Sequence, residues 1–158
     1  MGATPAAASP AGWNSASNIS RNLTFGMSFV VPAGHGDWDG VGQAALSIGA
    51  AGAITQALKW AIPETRPDGS NRMSFPSGHT SMSFAAAASL QQRYGWKAGA
   101  PATLLAAFTG LARVKADKHY VHDVVVGAVI GEAGGLLLTH HRRTGAAPPA
   151  MVGMSLRF

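Results

Sequence analysis

The chain has no cysteine, which removes disulfides and thiolate chemistry from anything it does. It is also short of charge. Asp, Glu, Lys and Arg make up 12% of the residues, where a soluble domain usually has about 25%, so little is available for a solvated surface. Acids are the scarcer sign, 7 against 12 Lys and Arg, leaving a net charge of +5. That balance favours anionic partners: phosphate esters, acidic lipid surfaces or nucleic acid. Nucleic acid is not expected, because there is no zinc-finger spacing and no basic run interleaved with aromatics. The opening MGATPAAASPAGWNSASN lacks a basic n-region and an apolar core, so it does not read as a signal peptide. Its Ala, Ser and Pro content predicts a flexible tail over residues 1–20.

What is present is apolar and small. Hydrophobic residues are 47% of the 158, with 20 glycines and many alanines, a composition for one domain of closely packed helices. The pattern predicts an all-α helical bundle of about 4–6 helices with its active site at one end. Four helices stand out: Gly40 to Ile62, stopped by Pro63; Ser77 to Gly95; Pro101 through Val114; and Tyr120 to His140. Asn22–Val31 alternates Leu23, Phe25, Met27, Phe29 and Val31, which fits either a strand or a helix ended by Pro32. The stretch Pro63–Pro76 is a loop. The helical domain is expected over 21–143 and a tail over 144–158, in which Val152, Met154, Leu156 and Phe158 alternate as a strand would.

Following the helices up and down with short connections brings Lys59, Arg66, Ser77, His79, Arg113, His119 and Asp123 to one end. Arg forks and a Lys point charge suit phosphate oxygens. Ser77-Gly78-His79 falls at a helix start, where free N–H groups and the positive dipole end point outward. His119 and Asp123 are four apart and share a face. The carboxylate can accept from one ring nitrogen and orient the histidine as nucleophile or base, with His79 as general acid. Each of these features alone is ordinary surface or capping chemistry; their coincidence at one end is not. A metal site built from His79, His119, His122 and Asp123 competes, but three nearby cations would repel a divalent ion. No metal and no cofactor are expected, and His122, off the face of His119 and Asp123, reads as a structural neighbour.

At these residues the chain resembles the type-2 phosphatidic acid phosphatase and vanadium haloperoxidase superfamily. Lys59, then WAIPET, then Arg66-Pro67 is similar to the first motif of that family. Pro76-Ser77-Gly78-His79 is similar to the second. Ala112-Arg113, VKADK, His119, YVH, Asp123 is similar to the third, with Ala112 where the family has Ser. The resemblance implies a phosphoric monoester hydrolase acting without metal on phosphate monoesters or pyrophosphates, chiefly of lipids. It implies that Lys59, Arg66 and Arg113, with Ser77 and the Gly78 N–H, hold the phosphoryl group. His119 would form a phosphohistidine, Asp123 would orient it, and His79 would protonate the leaving oxygen and then activate water. A vanadate-dependent haloperoxidase is the less favoured alternative in this small chain.

Spanning a bilayer takes about 20 apolar residues, a length only the first and last of the four helices reach. Gly127, Gly131 and Gly135 have small-xxx-small spacing. Arg93, Lys97, Arg142 and Arg143 fall at the end away from the site, as in a bacterial membrane protein whose site faces the periplasm or exterior. A soluble periplasmic non-specific acid phosphatase is the alternative, favoured by Gln56 and Glu132 inside the long helices.

Overall fold

Five helices account for most of residues 9–142, the part of the chain that the computed structural model describes. The helix α1 runs over Pro10–Gly34, α2 over Trp38–Ala61, α3 over Gly78–Tyr94, α4 over Trp96–Lys115 and α5 over Val121–Leu138. The architecture is the all-α bundle expected from the sequence.

The N-terminal segment departs from expectation. Residues 10–20, predicted as tail, are helical, and the alternating stretch 22–31 continues the same helix. Ser9 caps it, accepting from the Gly12 N–H at 3.1 Å, and Pro10 occupies the first turn, where its missing N–H costs nothing. The buried stripe of α1 is Ser17, Ser20, Thr24, Ser28 and Pro32. Ser17, Thr24 and Ser28 return their hydroxyls to carbonyls of their own helix, and Ser20 donates across to Leu105 O at 2.7 Å. Pro32 lies inside the last turn rather than ending the helix. Residues 1–8 and 143–158, with the strand read into 152–158 and Arg143, lie outside the described residues.

Asp37 caps α2, accepting from the Gly40 N–H at 3.0 Å, and Pro63 stops the helix because the residue before a proline disfavours helical backbone. Gly95, at φ +80°, ends α3 and starts α4 in one residue, so α4 begins five residues before the expected Pro101.

The central helix is α3, packed on all four others. Its contact with α5 is backbone on backbone. A Cβ on Gly131 would fall 2.1 Å from Ser81 O, one on Gly127 2.7 Å from Ser77 O, and one on Gly135 2.4 Å from the Ala88 Cβ. Buried hydroxyls join the helices: Thr55 with Ser81 at 2.8 Å, and Thr139 with Ser89 at 3.0 Å. The interior is thus small and polar, while Ile19, Leu23, Leu46, Ile54, Leu104, Val125, Val129 and Leu137 face outward. Three tryptophans do the same: Trp38 is 72% exposed, Trp60 70% and Trp96 71%. Both α2 and α5 are long and apolar enough to cross a membrane.

At the end away from the predicted site, Arg93 is not a free surface cation. Its guanidinium grips Asp37 through two bonds of 2.5 Å, Tyr94 donates to the same carboxylate, and Gln43 and the His140 carbonyl complete the cluster.

Candidate active site

The turn after α2 sets the frame. Lys59, in the last turn of α2, is 9% exposed and donates its three Nζ protons to the carbonyls of Met73 at 2.7 Å, Ser74 at 3.0 Å and Pro76 at 2.6 Å. Here it departs from the role the resemblance implies: it holds the loop, with no proton left for a ligand, and contributes charge. That loop is tied to the α4–α5 connection. The Asp68 N–H donates to Asp117 O at 3.0 Å, Asp68 and Lys118 form an ion pair, and the Ser77 N–H donates to Asp123 O at 3.0 Å.

From this frame α3 starts. The first N–H of its ladder is that of Ser81, bonded to Ser77 O at 3.0 Å. The N–H groups of Gly78, His79 and Thr80 have no acceptor among the described residues. Ser77 is buried and accepts from Thr80 Oγ1 at 2.9 Å, which leaves its own hydroxyl proton available. A helix N-terminus with three open amides is an anion seat.

Three arginines border it. Arg66 spends Nε on Asn71 Oδ1 at 2.9 Å and Nη2 on Met73 O at 3.4 Å. Arg113 is 4% exposed; Nη1 donates to Asn14 Oδ1 at 2.6 Å, while Nε is buried with no partner among the described residues. An orphaned buried donor on a cation is costly unless an anion meets it. Arg21 of α1 points Nη1 at His79 Nε2, 3.1 Å away. The same His79 nitrogen lies 2.8 Å from Asn18 Oδ1, so it faces one donor and one acceptor and is supported with or without its proton.

His119 is buried, with Nδ1 3.3 Å from Asp123 Oδ2. That oxygen also accepts from the Ser74 hydroxyl at 2.5 Å and the Tyr120 N–H at 2.9 Å, which fixes the carboxylate independently of the histidine. With Nδ1 turned to Asp123, Nε2 carries the lone pair. Burial, then Arg113, Lys59 and Arg66, hold His119 at about 3, far below a free imidazole, with Asp123 pulling the other way. It is therefore uncharged at neutral pH.

The remaining Asp123 oxygen has no aligned hydrogen bond, although His122 Nε2 lies 3.2 Å away. His122 is exposed, stacks on Tyr120 and meets both Glu64 oxygens at 3.1 Å. Glu64, His122 and Asp123 are the described residues whose ligand atoms come within 4.8 Å of one another, so the expected alternative metal set of His79, His119, His122 and Asp123 is not assembled.

All eight residues singled out in the sequence thus lie at one end of the bundle. Four participants were not foreseen: Ser74, and Asn14, Asn18 and Arg21 on α1. The last three are spaced four and three apart, the spacing of one helix face, and that was the available signal.

A carboxylate-oriented histidine facing a ring of cations and open amides defines a class: helical-bundle proteins that hold a tetrahedral oxyanion against a histidine. The chain belongs to the PAP2 superfamily, whose family model matches residues 40–145. It is 37% identical over 91 residues to a lipid A 1-phosphatase of Porphyromonas gingivalis, covering 55% of this chain and 20% of that protein. It is 31% identical over 115 residues to a lipid A 4'-phosphatase of Helicobacter pylori, covering 65% of this chain and 58% of that protein. The chain thus spans under two thirds of either relative's length. The fold is similar to the crystal structure of Aquifex aeolicus LpxE, with a TM-score of 0.69, 23% identity, and coverage of 82% of this chain and 84% of that one.

Proposed function

We propose that this protein is a metal-independent lipid phosphatase working through a phosphohistidine. The observation that carries the reading is the buried His119–Asp123 pair beside the orphaned Arg113 Nε and the open amides of 78–80. In this reading Arg66, Arg113, Ser77 and the Gly78 N–H hold the phosphoryl oxygens while Lys59 supplies field and loop order. His119 Nε2 attacks phosphorus, the bond to the leaving oxygen breaks, and His79, held near 3 in the empty site by burial and Arg113 but drawn to bind a proton by the phosphoryl dianion, gives that oxygen the proton. His79 then takes a proton from water, which attacks phosphorus and releases phosphate from His119. Fixed cations suit a transition state whose charge lies on phosphoryl oxygens.

A lipid substrate is favoured by the two relatives' names and by the surface. Outward Val and Leu over an interior of Gly, Ser and Thr is the arrangement of a bundle solvated by lipid. Trp38 and Trp60 are 22 residues apart on α2, about 33 Å at 1.5 Å per residue. That separation suits two interfacial tryptophans either side of a bilayer core of about 30 Å. Retention in membranes through a carbonate wash is expected; clean release as a soluble monodisperse protein would favour a soluble acid phosphatase instead.

The test of the chemistry is burst kinetics with labelled substrate in EDTA. Label should be trapped on His119, turnover should survive chelation, and His119→Ala should abolish both. Loss of turnover on chelation, restored by one divalent ion, would overturn the metal-free mechanism and direct attention to Glu64, His122 and Asp123.

A further inference from the structure

The helix α1 lies outside the segment that matches the family model, yet it walls the site beside His79. Three of its residues meet motif side chains: Asn14 on Arg113, Asn18 and Arg21 on His79. The asparagines are neutral braces. Arg21 is different. It is half-buried and has no carboxylate partner among the described residues; its other contacts are Asn22 Oδ1 at 3.0 and 3.2 Å and the Phe25 ring. It places a further positive charge beside a site already holding Lys59, Arg66 and Arg113. A terminal phosphoryl dianion is matched by those three with Asp123 opposing. A fourth cation against the proposed acid is unfavourable unless the ligand brings more negative charge on that side.

We infer that Arg21 is a specificity-determining residue that reads negative charge on the substrate's leaving group, favouring diphosphate esters over monophosphate esters. The inference rests on the phosphatase reading, in which His79 marks the leaving-group side. In a diphosphate the terminal phosphorus bonds to His119 while its bridging P–O bond breaks. The electron pair stays on the departing monophosphate ester, whose charge Arg21 meets. In a monophosphate the leaving group is an alcohol oxygen with no charged substituent, and the proton from His79 matters more. The two residues therefore serve different substrates from one spot.

The experiment uses the full chain in detergent and the mono- and diphosphate of one short-chain prenol. Arg21→Ala is expected to lower the diphosphate-to-monophosphate ratio of kcat/KM by about tenfold or more, the worth of a charged hydrogen bond, with Arg21→Lys restoring part of it. His79→Ala is expected to move the ratio the opposite way. Equal loss on both substrates in Arg21→Ala would overturn the inference and leave Arg21 as a brace for His79. If the variant does not fold, Arg21→Gln is measured instead. If the wild type releases phosphate from neither ester, the phosphatase reading fails, and binding decides the inference alone. Methylenediphosphonate should then bind the wild type more tightly than methylphosphonate, and Arg21→Gln should erase the difference. Equal affinities in the wild type would overturn the inference.

Discussion

Lys59 illustrates how a motif residue can serve by holding rather than touching. Its three protons end on three carbonyls of one loop, those of Met73, Ser74 and Pro76. Replacing it strands those acceptors and frees the loop that delivers Ser77. Lys59→Met is expected to destabilise the fold by about 3 kcal/mol, the scale of breaking a buried charged interaction, and to speed proteolysis within 63–76. A purely ligand-binding lysine would change substrate affinity and leave the proteolysis rate alone. His119 shares the acid-side pH dependence with His79, which burial and Arg113 also hold at about 3. The folded protein holds His119 at about 3 against about 6.5 for a free imidazole. Between those values the unfolded chain binds the extra proton, so stability falls as pH drops from 6.5 towards 3 and is insensitive to this group above 6.5. Melting followed by tryptophan fluorescence should show that slope, and His119→Gln should reduce it.

At the scale of elements, α3 and α5 form the unit that aligns the second and third motifs. Gly131 sits against Ser81 O and Gly127 against Ser77 O, so a side chain at either pushes the two motifs apart. Gly131→Ala is expected to cost about 1–3 kcal/mol through overpacking and to lower activity with it. Gly26→Ala in α1, with nothing within 4 Å of the added carbon, should be neutral or stabilise by about 0.5–1 kcal/mol. Thermal melts of both variants check the contrast. The helices α2, α3, α4 and α5 were legible because Pro63, Gly95 and the motif spacings punctuate them. The helix α1 was legible only in its second half, as one of two readings of 22–31, for a physical reason. Its buried stripe is Ser17, Ser20, Thr24 and Ser28, whose hydroxyls find carbonyl acceptors in α1 or α4, while Ile19 and Leu23 face out. Phe25, Met27, Phe29 and Val31 lie half-buried against the core on the two flanks of that polar stripe, so their spacing shows no single apolar face, and an Ala- and Ser-rich start looks like tail. Reading the first half of α1 as tail meant missing Asn14, Asn18 and Arg21. Arg93 does fall at the end away from the site, as expected, but its pairing with Asp37, 56 residues away, is invisible until the helices are packed. That contact holds the Asp37 carboxyl well below the usual carboxylate range.

For the whole molecule, the placement of Trp60 matters most. It follows Lys59 directly at the end of α2, with Trp38 at the other end of the same helix. If α2 spans a bilayer as proposed, two aromatic rings fixed at either end of a rigid rod act as a gauge of the layer around them. In the membrane-spanning reading proposed above, a bilayer thicker or thinner than the gauge would strain the helix end that carries Lys59, and that strain would reach the carbonyls of residues 73–76. Catalytic rate should then depend on acyl-chain length in reconstituted vesicles, peaking where the hydrocarbon layer is about 30 Å and falling on both sides. Trp60→Ala should flatten the peak. Rates measured across a series of monounsaturated phosphatidylcholines would show whether membrane thickness is an input to the proposed phosphatase, sensed 22 residues from the other end of one helix.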